Sequence, residues 1–159
     1  MCIRDSAVYD HVGTAEHKAV AKEAAARSFT LVKYDNAAPL AGQRIVVAGS
    51  LAQNIRALNS GWTAKEPIEI TGTTILDALT AKAGEDNVTY VETAADVPAD
   101  LSGTTAIVVV GEKSGTHDPE WTAASLEFPQ EQVELVQALK AAGANVVSVV
   151  IMNRAYVLT

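Results

Sequence analysis

Arg44-Ile-Val-Val-Ala-Gly49 is the stretch that decides the fold class. Three β-branched residues and an alanine stand in a row, without the alternation of a half-exposed strand, and a glycine closes the run. An apolar run this short suits a strand covered on both faces, as in a parallel sheet lying between helices. Outward from it, helical and strand-like segments alternate. Thr73 to Ala83 sets Ile75, Leu76 and Leu79 at helical spacing and stops at Gly84. Val88-Thr-Tyr-Val91 and Thr105-Ala-Ile-Val-Val-Val110 read as further strands, separated by a polar link with Pro98 and Gly103. Pro129 holds a favourable first-turn position for a helix over Gln130 to Ala142, whose Val133, Leu135, Val136 and Leu139 form one stripe closed by Gly143. Val146 to Met152 is the last strand. On the other side of the opening run, Thr14 caps an alanine-rich helix to Arg27, followed by a short extended piece, Phe29 to Lys33, and a turn over Asp35 to Pro39. This alternation predicts an α/β domain: a layered sandwich with a mostly parallel sheet flanked by helices and right-handed crossovers.

Composition narrows the function classes. A chain of 159 residues suits one core, and 48% hydrophobic with 19% charged residues describes an ordinary globular protein. The formal charge of −7 argues against a phosphate-tracking surface, because displacing counterions from nucleic acid needs clustered Lys and Arg. No nucleic-acid partner is expected, and no membrane partner, since no apolar run approaches the roughly 18–20 residues that cross a bilayer. The opening Met1-Cys-Ile-Arg-Asp-Ser6 looks like the translation of a sequencing-library adapter. Residues 1–6 are therefore read as a non-native tag, 7–28 as a linker with its helix, and 29–159 as the domain, expected to be truncated at its end. Cys2, the only cysteine, falls in that tag, which leaves no thiol nucleophile. His11, His17 and His117 lack metal-ligand spacing, so no metal is expected. Nor is a cofactor: Ala48 to Gln53 is not a Gly-x-Gly-x-x-Gly turn, and Ser50 and Ser60 lack a nucleophile elbow.

In open α/β sheets, ligands bind beyond the carboxyl ends of strands. Two loops leave such ends here, Gly49 to Trp62 and the stretch after Val110, and the two can share a rim. The second loop carries Glu112, His117, Asp118, Glu120 and Trp121. Its carboxylates can serve general acid chemistry beside an indole that raises a carboxyl pKa, or form only a solvated link between strand and helix. Trp62, following Ser60-Gly61, is either a stacking platform for a sugar ring or a plug in the core.

Five segments in order carry a family resemblance. They are Gly13 to Leu40 with its Leu31-Val-Lys33 piece, Arg44 to Thr63 ending in Ser60-Gly-Trp-Thr63, Thr71 to Leu79, Ala106 to Glu112 with the Pro129-started helix containing Gln132, and Val146 to Thr159. Together they resemble the C-terminal α/β domain of glycoside hydrolase family 3, the β-glucosidase and β-glucan exohydrolase family. The resemblance implies a site shared between two domains. A (β/α)₈ barrel carries the aspartate nucleophile and is the intramolecular partner. This domain lends sugar-binding residues and a general acid/base from the loop after its Val-Gly-Glu strand. The implied substrate is a β-linked glucoside or glucan, and the implied location periplasmic or secreted.

In the exohydrolase branch that loop runs Gly-Glu-x-Pro-Tyr-Ala-Glu-Gly-x-Gly-Asp, its seventh residue being the acid/base. Counting from the left lands on His117 and from the right on Asp118, while Glu120 stands two or three residues further on. A second tryptophan four positions after Trp62 is Glu66 here, and the paired glycine before Trp62 is Ser60. Glu120 is preferred as the acid, with Asp118 second, because its longer side chain reaches further across a cleft and Trp121 adjoins it. Trp62, His117 and Trp121 are the expected sugar contacts. Two rivals remain: a degenerate paralogue that only binds carbohydrate or props up a barrel, and a free-standing flavodoxin-like binding module.

Overall fold

The computed structural model describes residues 12–34, 43–59, 70–112, 125–152 and 155–157. The chain divides into two compact units, Met1–Asn36 and Ala37–Thr159. The first unit holds helix α1, Ala15–Ser28, whose N-cap Thr14 accepts a hydrogen bond from the His17 N–H at 3.3 Å. Its apolar residues are mostly alanines spread around the axis, and none of its residues is buried. The extended piece expected from Phe29 to Lys33 is not a strand: residues 29–34 carry no regular structure, with Phe29, Leu31, Val32 and Tyr34 exposed. Strand-forming side chains do not make a strand unless a neighbour takes up the backbone groups, and none of the described strand pairings includes this segment.

Among the described residues the second unit has four strands: β1 (Ile45–Ala48), β2 (Val88–Val91), β3 (Thr105–Gly111) and β4 (Asn145–Ile151). All are parallel, in the order β2-β1-β3-β4. Among the described residues three α-helices accompany them: α2 (Ile55–Asn59), α3 (Ile75–Ala83) and α4 (Gln130–Ala141). The fold is the α/β sandwich that the alternating pattern predicts.

Every residue of β1 and β3 is buried, which is why neither shows polar alternation. Alternate side chains serve opposite layers. Val46, Ala48, Ala106, Val108 and Val110 join Leu135 and Leu139 of α4 on one face. Ile45, Val47, Ile107 and Val109 join Leu51, Ala52 and Ala57 on the other, where Ile75, Leu76 and Leu79 of α3 pack against them. A capping box fixes the start of α3: the Asp77 N–H donates to the Thr74 hydroxyl, and the Thr74 N–H donates to the Asp77 carboxylate, each at 3.1 Å. The stripe read on α4 is correct in phase, with Leu135 and Leu139 taking the deepest positions.

Leu139 is fully buried, so Leu139→Ala should cost about 2–5 kcal/mol by lost transfer energy and a residual cavity. Urea unfolding should show a lowered midpoint at unchanged slope. The exposed neighbour change Lys140→Ala should stay within about 0.5 kcal/mol.

Candidate functional site

The strand order fixes where a ligand site can form. From β1 the chain crosses to β2 on one side, and from β3 it crosses to β4 on the other, so the two connections diverge at the carboxyl ends of adjacent strands. Such a divergence opens a crevice, the usual ligand position in sheets of this kind. The two loops expected to share a rim do leave neighbouring strands, since Ala48 pairs with Val108.

Gly49 makes the first corner. Its φ of +93° favours glycine, and a Cβ there would sit 2.5 Å from the Val109 carbonyl oxygen. The Gly49 N–H donates to the Val91 carbonyl at 2.9 Å, and the Tyr90 hydroxyl donates to the Gly49 carbonyl at 3.4 Å. Burial, then the nearby Glu92 carboxylate, push the Tyr90 hydroxyl above its ordinary pKa, so it stays protonated and able to donate. Beyond the corner the chain forms a 3₁₀ turn, Ser50–Gln53, and then α2, where a plain loop was expected. Asn54 caps that helix by accepting the Ala57 N–H at 3.1 Å. The helix is only one turn and a half long, too short for hydrophobic periodicity to announce it.

Gly111 and Glu112 make the second corner. Gly111 has a φ of +129°, and a Cβ there would overlap the Ile151 carbonyl. Gln132, in the first turn of α4, meets Gly111 twice: the Gly111 N–H donates to Oε1 at 2.8 Å, and Nε2 donates to the Gly111 carbonyl at 2.9 Å. The Glu112 N–H donates to the Ile151 carbonyl at 2.9 Å. Its side chain is 9% exposed, and its Oε1 accepts the Tyr156 hydroxyl at 2.7 Å. Tyr156 in turn lies against Phe128, ring centroids 5.2 Å apart. The first residue of the candidate acid/base loop is thus a nearly buried carboxylate, held from a segment beyond β4.

Trp62, Glu66, His117, Asp118, Glu120 and Trp121 lie outside the described residues. The structure therefore places what precedes their segments: the end of α2 at Asn59 for the first two, and the Gly111–Glu112 corner for the others. Of the carboxylates noted in the second loop, Glu112 is the one it positions. Sequence reasoning missed the partnerships of Gln132 and Tyr156. A glutamine two residues inside a proline-started helix was a faint signal for the first, and nothing local marks a tyrosine 44 residues from its partner. Among the described residues no group of three or more His, Cys, Asp or Glu could hold a metal ion.

The family model of the Glycosyl hydrolase family 3 C-terminal domain matches residues 29–159. That match covers most of the chain, so the chain belongs to this family. No curated protein matches it as a relative.

Tyr156→Phe removes one donor from a nearly buried carboxylate and should cost about 1–3 kcal/mol in urea unfolding. Combined with Glu112→Gln, the double-mutant cycle should return a coupling of at least about 0.5 kcal/mol. A coupling indistinguishable from zero would show that the two side chains do not stabilise one another.

Proposed function

We propose that this chain lends sugar-binding residues and the general acid/base to a β-glucosidase-like retaining hydrolase whose nucleophile belongs to a (β/α)₈ barrel. The observation that carries this reading is the adjacency of the Gly49 and Gly111 corners at the sheet's divergence point, in a chain of family 3. The chain leaves the Gly111 corner toward Glu120, and leaves the Gly49 corner toward Trp62 by way of the 3₁₀ turn and α2; in this reading one sugar is met by both.

In a retaining glycosidase the nucleophilic carboxylate attacks the anomeric carbon as a carboxylic acid protonates the leaving oxygen, with the two carboxyl groups about 5–5.5 Å apart. The second group then deprotonates the water that releases the sugar. Glu120 is the proposed acid/base, with Asp118 the alternative two residues away. The glutamate's extra methylene helps it span a cleft between domains, and Trp121 beside it can exclude water and hold it protonated. Trp62 is the proposed stacking platform, with His117 and Trp121 as further sugar contacts. The substrate class is a β-linked glucoside or glucan.

The 159-residue chain by itself should turn over no aryl β-glucoside, because the covalent step needs a nucleophile from the barrel. Measurable hydrolysis by the purified chain would overturn the two-domain reading. Joined to a family barrel, Glu120→Gln should slow hydrolysis of a disaccharide by about 10²–10⁴, the usual worth of a positioned acid. The glycosylation step with a dinitrophenyl glucoside, whose leaving group needs no proton, should be spared, and azide should speed release of the trapped intermediate. A selective loss in Asp118→Asn instead moves the assignment to Asp118. Wild-type behaviour of both variants would remove the acid/base role from this loop.

A further inference from the structure

We propose that Gln132 is a positioning residue for the acid/base segment: by pairing with both backbone groups of Gly111, its carboxamide sets where that segment leaves the sheet. The proposal rests on the glycosidase reading for the segment's task, and on the geometry of the β3 end for the way it is held.

Strand β3 pairs with β1 only through Val108 but with β4 through Gly111. Its last residues therefore project past the end of β1. Successive residues of a parallel strand direct their backbone groups to opposite sides. Glu112 spends its N–H on Ile151, toward β4. Gly111 accordingly faces the other side, over the end of β1, where no strand residue remains to pair with it. Gln132 fills that place. Its Oε1 accepts the Gly111 N–H at 2.8 Å, and its Nε2 donates to the Gly111 carbonyl at 2.9 Å, as one residue of an added strand would. The carboxamide therefore lies against the projecting end of β3, on its β1 side.

Two further facts make this a device for placing a loop. Gly111 cannot carry a side chain beside the Ile151 carbonyl, so its backbone is left as the handle. Gln132 also stands 21 residues after Gly111, beyond the far end of the loop, so one amide ties the loop's departure to its return. Closing a loop of that length without a tie costs chain entropy that grows with the logarithm of its length.

The carboxamide is the only ordinary side-chain group offering a donor and an acceptor side by side without charge. A glutamate carboxylate at this position would turn a second acceptor against the Gly111 carbonyl. A protonated glutamic acid would restore the pair. Gln132→Glu should thus fail near neutral pH and recover below about pH 4, around the ordinary glutamic acid range. Gln132→Met should fail at both. The other titratable groups on the elements that meet there are Glu112 and Tyr156 at the corner, Glu127 before α4, Glu131, Glu134 and Lys140 on it, and Asp96 in the 3₁₀ turn Ala94–Asp96 packed against it. All of them remain in both variants, so the difference between the variants belongs to position 132.

The experiment uses the whole chain in a Trp62→Phe background, where Trp121 is the sole remaining tryptophan and reports from within the loop. Amide exchange at Gly111 and acrylamide quenching of Trp121 are read at about pH 7 and about pH 4. At neutral pH both variants should speed Gly111 exchange about tenfold, the scale of one lost hydrogen bond, and both should alter Trp121 quenching. On acidification only Gln132→Glu should return toward the parent in both readouts. Unchanged Gly111 exchange in Gln132→Met would overturn the proposal. So would faster exchange with Trp121 quenching identical to the parent, because the clamp would then serve the strand end alone. Should Gln132→Glu unfold at neutral pH, Gln132→Met still decides through both readouts. Neither measurement involves turnover. An inert Glu120 would therefore sink the glycosidase reading while leaving the placement of the loop by Gln132 standing.

Discussion

Strand β3 is longer than β1 beside it, and the rest of the site depends on that mismatch. Its first residues are laddered on both sides, to β1 and to β4, and all of its residues are buried. Beyond Val108 the ladder survives only on the β4 side. A buried backbone group left without a partner costs as much as a lost hydrogen bond or more. The projecting end of β3 must therefore be satisfied from outside the sheet, and the first turn of α4 supplies the partner. Helix α4 is thereby bound to the sheet in two ways: through Leu135 and Leu139 in the core, and through Gln132 at the rim.

Much of this fold is legible in the sequence because burial writes a local pattern. The unbroken apolar runs of β1 and β3 announce strands covered on both faces, and the stripe on α4 announces its core side. The strand order is not local. Nothing in the periodicity says that β1 lies between β2 and β3 rather than the strands lying in sequence order, and the divergence point exists only once that order is known. The piece from Phe29 to Lys33 shows the converse, since it joins none of the described strands. There β-propensity is high, but propensity measures fit to a pleated, half-buried surface and does not create one.

The same division runs through the candidate site. The two corner glycines could be suspected from sequence as strand endings, and both have positive φ with a carbonyl where a Cβ would go. Glu112 was visible as a carboxylate after the strand. Its burial was not, because Tyr156, which donates to it, belongs to a segment with no hydrophobic period of its own. Contacts between distant segments leave no spacing rule behind. What sequence alone offered instead was an ordered series of familiar segments, and the family match spans residues 29–159.

The proposed site, divided between two domains, would place an unusual demand on such a corner. In a single-domain enzyme the acid and the nucleophile share one scaffold, and errors in placing either are limited by common packing. In the proposed site the acid belongs to the segment after Glu112, and its partner carboxylate to another domain. Productive geometry tolerates errors of only about 0.5 Å, and a misplacement of about 1 Å can cost roughly 10²-fold in rate. Packing at the loop's tip cannot meet that tolerance if its stem can swing, since a small rotation at the base becomes a large displacement at the end. The stem is where this chain concentrates its fixed contacts: a glycine that admits no side chain, an amide that pairs with it twice, and a nearly buried carboxylate held by a tyrosine. A corner built to serve only as a strand end would need the backbone bonds alone. The added side-chain bonds from α4 and from beyond β4 make sense if the direction in which the chain leaves Glu112 matters to the protein.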